Sequence, residues 1–189
     1  MTSTHRTQQQ PELNQPSLGP QARPPALRTG LGEAFSDANL ASMLKLRHCT
    51  DCGRAQYPPQ AQCRYCLCNE LVWRNCSGDG ILLSAIDLHH SLWEFFRHHT
   101  SARPWPVASV RLQAGVTVFA HLHLGSFQVD SAKSVPLDSQ VTVFSHSDCS
   151  ERAVLIAAAA GTAVDHCGER RALAAELGLL EPVIKPEGI

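Results

Sequence analysis

The sequence lacks most of what usually announces a function. It has no excess of charge: sixteen Lys and Arg against seventeen Asp and Glu leave a net charge of -1. Whole-chain electrostatics therefore draw it to neither a polyanion nor an acidic membrane. No apolar run approaches the roughly 18 residues that a membrane-spanning helix needs. The N-terminal stretch "MTSTHRTQQQPELNQPSLGPQARPP" offers no apolar core for a signal peptide, so a cytoplasmic location is expected. Catalytic patterns are missing as well. There is no G-x-S-x-G elbow and no H-E-x-x-H pair, "SGDG" at 77–80 is a turn and not a phosphate loop, and no internal repeat is visible.

What is present is a core and a set of thiols. The chain has 189 residues, 43% of them hydrophobic, and eight cysteines, enough for one ordinary domain or two small ones. In a reducing compartment, closely spaced cysteines read as metal ligands or redox thiols rather than disulfides. The stretch "RHCTDCGRAQYPPQAQCRYCLC" (47–68) holds two Cys-x-x-Cys pairs. Two such turns let four thiolates converge tetrahedrally, a soft and closed geometry that suits one structural Zn²⁺. Cys49, Cys52, Cys63 and Cys66 are the expected ligands. Cys68 or His48 stands close enough in sequence to exchange with one of them, and iron or unligated thiols are the alternatives. Gly53 follows the first pair, where a positive φ is wanted, while Leu67 follows the second. Four thiolates leave no open coordination position, so the metal serves folding and not turnover. A redox role would call for a lone Cys-x-x-Cys beside a βαβ unit, which is absent.

Around this motif the chain divides into five parts. Residues 1–35, rich in Gln, Pro, Ser and Thr, are expected to be a flexible tail. Residues 36–46, "SDANLASMLKL", carry a helical pattern with Ser36 as cap and Leu40, Met43, Leu44 and Leu46 on one face. Residues 47–75 form the ribbon, closing with a strand in "NELVWRN". Residues 76–165 contain short β-rich runs at 81–88, 106–113, 116–124 and 140–146. Within them Val116, Val118, Ala120 and Leu122 alternate with Thr117, Phe119, His121 and His123, giving a strand with two distinct faces. "RAVLIAAAAGTAV" (152–164) suits a closing fifth strand, with a helix as the alternative that its four alanines allow. Residues 166–189 hold a helix over 169–180, stopped near Gly178 and blocked by Pro182.

The order of these features resembles a known family: a helical lead-in, a rubredoxin-like zinc ribbon, then a small OB-fold barrel, long catalogued as a domain of unknown function. The resemblance rests on "CTDCG", "YPPQAQCRYC", "SGDGILLS", "RPWPVASVRLQAGVTVFAHL" and "PLDSQVTVF", and spans about residues 36–146. Leu67 and Ser139 depart from it, standing where glycine is usual. The resemblance implies a mainly β protein and a non-catalytic subunit that associates with a thiolase-like enzyme or an enoyl-CoA hydratase. There it would shape or cover the acyl-CoA channel while the partner supplies the catalytic groups.

The residues add their own expectations. The connection "DLHHSLWEFFRHHTSARP" (87–104) concentrates Leu92, Trp93, Phe95 and Phe96 among His89, His90, His98 and His99. Such a patch either meets a partner or plugs the barrel end. Arg97 and Arg103 bracket it and Arg111 lies in the next strand, so these are the candidates for CoA phosphates. Trp93, Phe96, Arg97 and Arg103 are the expected ligand or partner contacts. Two rival functions remain. One is single-stranded nucleic-acid binding, for which the strands offer Phe119, Phe144 and Arg111. The other is a metal centre shared by His121 and His123, although alternate polar positions on a strand ordinarily face solvent. Cys76, Cys149 and Cys167 have no partner at ligand spacing.

Overall fold

The computed structural model describes residues 28–40 and 43–180, without the side chains of Glu94, Phe95, His98 and Ala102. The flexible tail expected for 1–35 lies largely outside the described residues, as does the end of the C-terminal segment. The first helix, α1 (Gly30–Leu40), begins six residues before the one expected from Ser36. Thr29 starts it: its hydroxyl accepts the Gly32 N–H at 3.2 Å and its carbonyl the Glu33 N–H at 3.0 Å. Ser36 is no cap but sits inside the helix, buried, where its Oγ accepts the Ala153 N–H at 2.9 Å. Asn39 ends the element by bridging to the next one, accepting the Lys45 N–H at 2.7 Å and donating to the Lys45 carbonyl at 3.1 Å.

The expected helical face past Leu40 is not a helix. Lys45–Cys49 form β1, which pairs with β2 (Ala55–Gln56) on one side and β3 (Leu71–Asn75) on the other, in a three-stranded antiparallel sheet. Leu44 and Leu46 are each 1% exposed and join the barrel core.

The barrel is built from β4 (Asp79–Leu88), β5 (Trp105–Leu112), β6 (Thr117–Leu122), β7 (Gln140–Ser147) and β8 (Ala153–Ala159), closed in the order β4-β5-β6-β8-β7. Only the β6–β8 pair is parallel, and this five-stranded closed connectivity is that of the OB fold. β4 serves both sides of the closure. It pairs with β5 along its length and with β7 through Asp79, Gly80 and Ile81. A bulge between Leu82 and Ser84 supplies the bend. Gly78 fits where the ends meet: it accepts the Val143 N–H at 2.7 Å, and a Cβ there would stand 1.8 Å from the Val143 oxygen.

Val118, Ala120 and Leu122 point into this core with Leu82, Val110, Val141 and Val143, so the alternation read in β6 holds for its apolar face. The run at 152–164 is the strand β8 over Ala153–Ala159, in which Ala157 and Ala158 are fully buried. A second core lies outside the barrel wall. Helix α2 (Glu94–Ala102) and helix α3 (Cys167–Glu176) flank it, and Trp105, Phe144, Ile156, Leu173, Leu177 and Leu179 fill it.

Candidate metal centre and neighbouring surfaces

Each Cys-x-x-Cys pair closes a turn of the same shape. In the first the Gly53 N–H donates to the Cys49 carbonyl at 3.0 Å; in the second the Leu67 N–H donates to the Cys63 carbonyl at 2.9 Å. The β1–β3 pairing and the Thr50 N–H to Glu70 carbonyl bond at 3.0 Å hold the two turns together, and the Cys63 N–H to Cys68 carbonyl bond at 2.9 Å closes the second. All four sulfurs lie within 4.8 Å of one another, with Cys49–Cys66 at 3.5 Å and Cys52–Cys63 at 3.6 Å. A tetrahedron with Zn–S arms of about 2.3 Å has edges of about 3.8 Å, so the four thiols fit one zinc ion.

The electrostatics also favour a metal. The Cys52 backbone N–H above all, with the Asp51 N–H and the Cys66 and Cys52 thiols, holds Cys49 down at about 6 against burial. The Cys68 backbone N–H pulls Cys66 down too, but burial and the surrounding sulfurs outweigh it and push Cys66 up to about 12. Four such thiols do not lose all their protons unaided, and a divalent cation is what makes four adjacent thiolates compatible. The spare ligands do not join them. His48 directs Nδ1 to the Gly53 carbonyl at 3.3 Å, and the Cys68 sulfur accepts the Glu70 N–H at 3.3 Å.

The aromatic connection is divided between surface and core. Leu92 is 94% exposed and Trp93 59% exposed, whereas Phe96 packs inward, its ring 5.6 Å from Trp105. The two arginines do not converge either. Arg97 donates back to the Leu92 carbonyl at 3.1 Å, and Arg103 reaches α3, donating to the Glu176 carbonyl at 2.5 Å. Arg111 is exposed on β5, away from both.

His121 and His123 do not form a shared metal site, and both are buried instead of facing solvent. The ring of His121 stacks on Trp105 at 4.7 Å. His123 Nδ1 accepts the Ser126 N–H at 3.1 Å, so its hydrogen sits on Nε2 and donates to the Glu176 carboxylate at 2.7 Å. The chain leaves its alternation at the end of β6, where the 3-10 turn Leu124–Phe127 begins and α3 covers the outer face. Sequence reasoning gave no role to Trp105, the centre of this pile, nor to Glu176. Only the Arg-Pro-Trp-Pro context marks Trp105 in the sequence, and nothing local marks Glu176, which lies 53 positions from His123. Of the two stacking candidates for nucleic acid, Phe144 is fully buried and Phe119 is exposed.

Fold and site define a zinc-ribbon protein with an OB-type barrel. Residues 44–67 match the family model described as ChsH2, rubredoxin-like zinc ribbon domain. Among solved structures, a chain of "Ltp2-ChsH2(DUF35) aldolase" is similar, with a TM-score of 0.54 and 21% identity over 73% of this chain and 99% of that one. The likeness supports the ribbon-plus-barrel fold. No curated protein matches the sequence. No helix among the described residues is long and apolar enough to cross a membrane.

Proposed function

We propose that this chain is a non-catalytic subunit, stabilised by zinc, that associates with a thiolase-like or hydratase enzyme and helps to form its acyl-CoA channel. The observation that carries this reading is the likeness to a chain of a structure that names two proteins together, Ltp2 and ChsH2, as an aldolase, and that is covered over 99% of its length. The fold adds support. The cysteine site is saturated by its own four sulfurs, which suits a clamp and not a reaction centre. Leu92 and Trp93 present apolar area to solvent at the tip of the β4–β5 connection, the type of anchor that protein interfaces bury. Exposed Arg97 and Arg103 are the candidate contacts for CoA phosphates, and the ribbon and barrel, 47–75 and 76–165, are the working units.

The test is a pull-down of the tagged chain from its own cells at moderate salt, beside a Leu92→Asp/Trp93→Ala variant. Recovery of one enzyme subunit in fixed ratio, lost in the variant while zinc content and thermal midpoint hold, is the expected result. Recovery of the wild-type chain alone, or with nucleic acid, would contradict it.

A further inference from the structure

A cavity of about 620 Å³ lies between the β4–β5 connection, the segment joining β6 to β7, and α3. Its size falls within the ~300–1,000 Å³ of small-molecule sites. Its apolar wall is made by Pro104, Pro106, Leu124, Val129 and Leu177. Its charged side chains are Arg103 and Glu176 on the side of α3 and Lys133 and Asp130 on the segment joining β6 to β7; His89 and His123 also line it, and the Glu176 carboxylate accepts from His123 at 2.7 Å. Asp87 also borders it, but both its oxygens are engaged, accepting from the Ser131 hydroxyl at 2.7 Å and the Ala132 N–H at 3.1 Å. Trp105 completes the wall at 3% exposure, and its indole Nε1 has no hydrogen-bond partner among the described residues.

This charge balance selects the ligand class. Three carboxylates against two cations oppose a polyanion, and the two cations oppose a simple amine. A compact zwitterion meets both signs at once, its carboxylate received by a guanidinium or ammonium and its ammonium by a carboxylate. The apolar wall takes a side chain between them. We propose that this cavity binds a small zwitterion with an apolar side chain, the chemistry of a free α-amino acid. The two ends of the site are supplied by Arg103 with Glu176 and by Lys133 with Asp130. The His123–Glu176 bond and the Arg103 bond to the Glu176 carbonyl fix α3 as the wall of the site. The inference concerns this chain by itself; it shares Arg103 with the proposed CoA contact, whereas Lys133 and Asp130 lie outside that contact.

The experiment uses the purified, zinc-loaded full chain and ligand-observed NMR with L-leucine, L-phenylalanine and L-tryptophan. Saturable binding of at least one is expected. Its N-acetyl derivative, which loses the positive end, and its amide, which loses the negative end, should each bind about tenfold or more weakly. Lys133 and Asp130 are exposed and hold no side-chain hydrogen bond or ion pair among the described residues, so Lys133→Ala and Asp130→Asn should keep the thermal midpoint and zinc content. Each is expected to weaken binding about tenfold while leaving partner recovery in the pull-down unchanged. No saturable binding of any of the three, equal binding of the blocked derivatives, or unchanged binding in both variants would overturn the proposal.

Discussion

Gly53 and Leu67 occupy equivalent positions in the two halves of the metal centre. Each follows the second cysteine of its pair and donates its N–H to the first cysteine's carbonyl, with φ of 72° for Gly53 and 63° for Leu67. Glycine adopts that region freely, whereas a residue with a Cβ is strained there by about 1–2 kcal/mol. Leu67 is 71% exposed, so its side chain contributes little packing in return. Leu67→Gly is therefore expected to stabilise the ribbon by about 1 kcal/mol and Gly53→Ala to destabilise it by a similar amount. Thermal melts of the zinc-loaded protein read both.

Metal binding carries a pH signature. Cys49 is held at about 6, below its ordinary 9.0, so its contribution to the metal-free fold is full above 9.0 and lost as pH falls through about 6. Cys66, raised to about 12, acts oppositely: its contribution is full below 9.0 and lost as pH rises toward about 12. The metal-free ribbon should be most stable near pH 9, as a pH series of thermal midpoints would show. Zinc uptake should release protons and weaken on acidification, with one ion per chain by metal analysis and none held tightly after Cys49→Ser.

Barrel closure depends on Gly78. Alanine there would place its Cβ 1.8 Å from the Val143 oxygen and 2.8 Å from its carbonyl carbon, both backbone atoms that cannot move aside without unpairing β7. Gly78→Ala should fail to fold or lose more than about 4 kcal/mol in urea denaturation. Gly115→Ala, at φ 80° with open space around it, should cost only about 1 kcal/mol.

His146 links stability to acid. Burial lowers its pKa below the ordinary 6.5, helped by the charges of Arg170 and Arg171. The unfolded chain therefore takes up the proton first, and stability should decline as pH falls below 6.5. His146→Gln should flatten that part of a stability–pH curve.

The ribbon and barrel were legible in the sequence because their signals are local. Cysteine spacing places the four sulfurs, and strict alternation through Val118, Ala120 and Leu122 marks one buried face. The first helix was misplaced because Leu40, Met43 and Leu44 imitate a helical face, while Gly30 and Gly32 lower helix propensity where the helix actually runs. There, contacts from β8 and β1 to Ser36 and Asn39 override propensity. The environments of His121 and His123 were illegible for a related reason. A strand pattern reports the barrel side of a residue but not a helix that later covers the other side, and Trp105 and Glu176 arrive from elements distant in sequence.

The central claim is that this chain acts as a subunit, and it is tested most directly by acyl-CoA turnover of the isolated chain, its isolated partner and the reconstituted pair, with the pair's mass measured by light scattering. A defined complex whose turnover far exceeds that of either component, with none from this chain alone, is the predicted result. Turnover by the isolated chain, or a partner unaffected by its addition, would contradict the account.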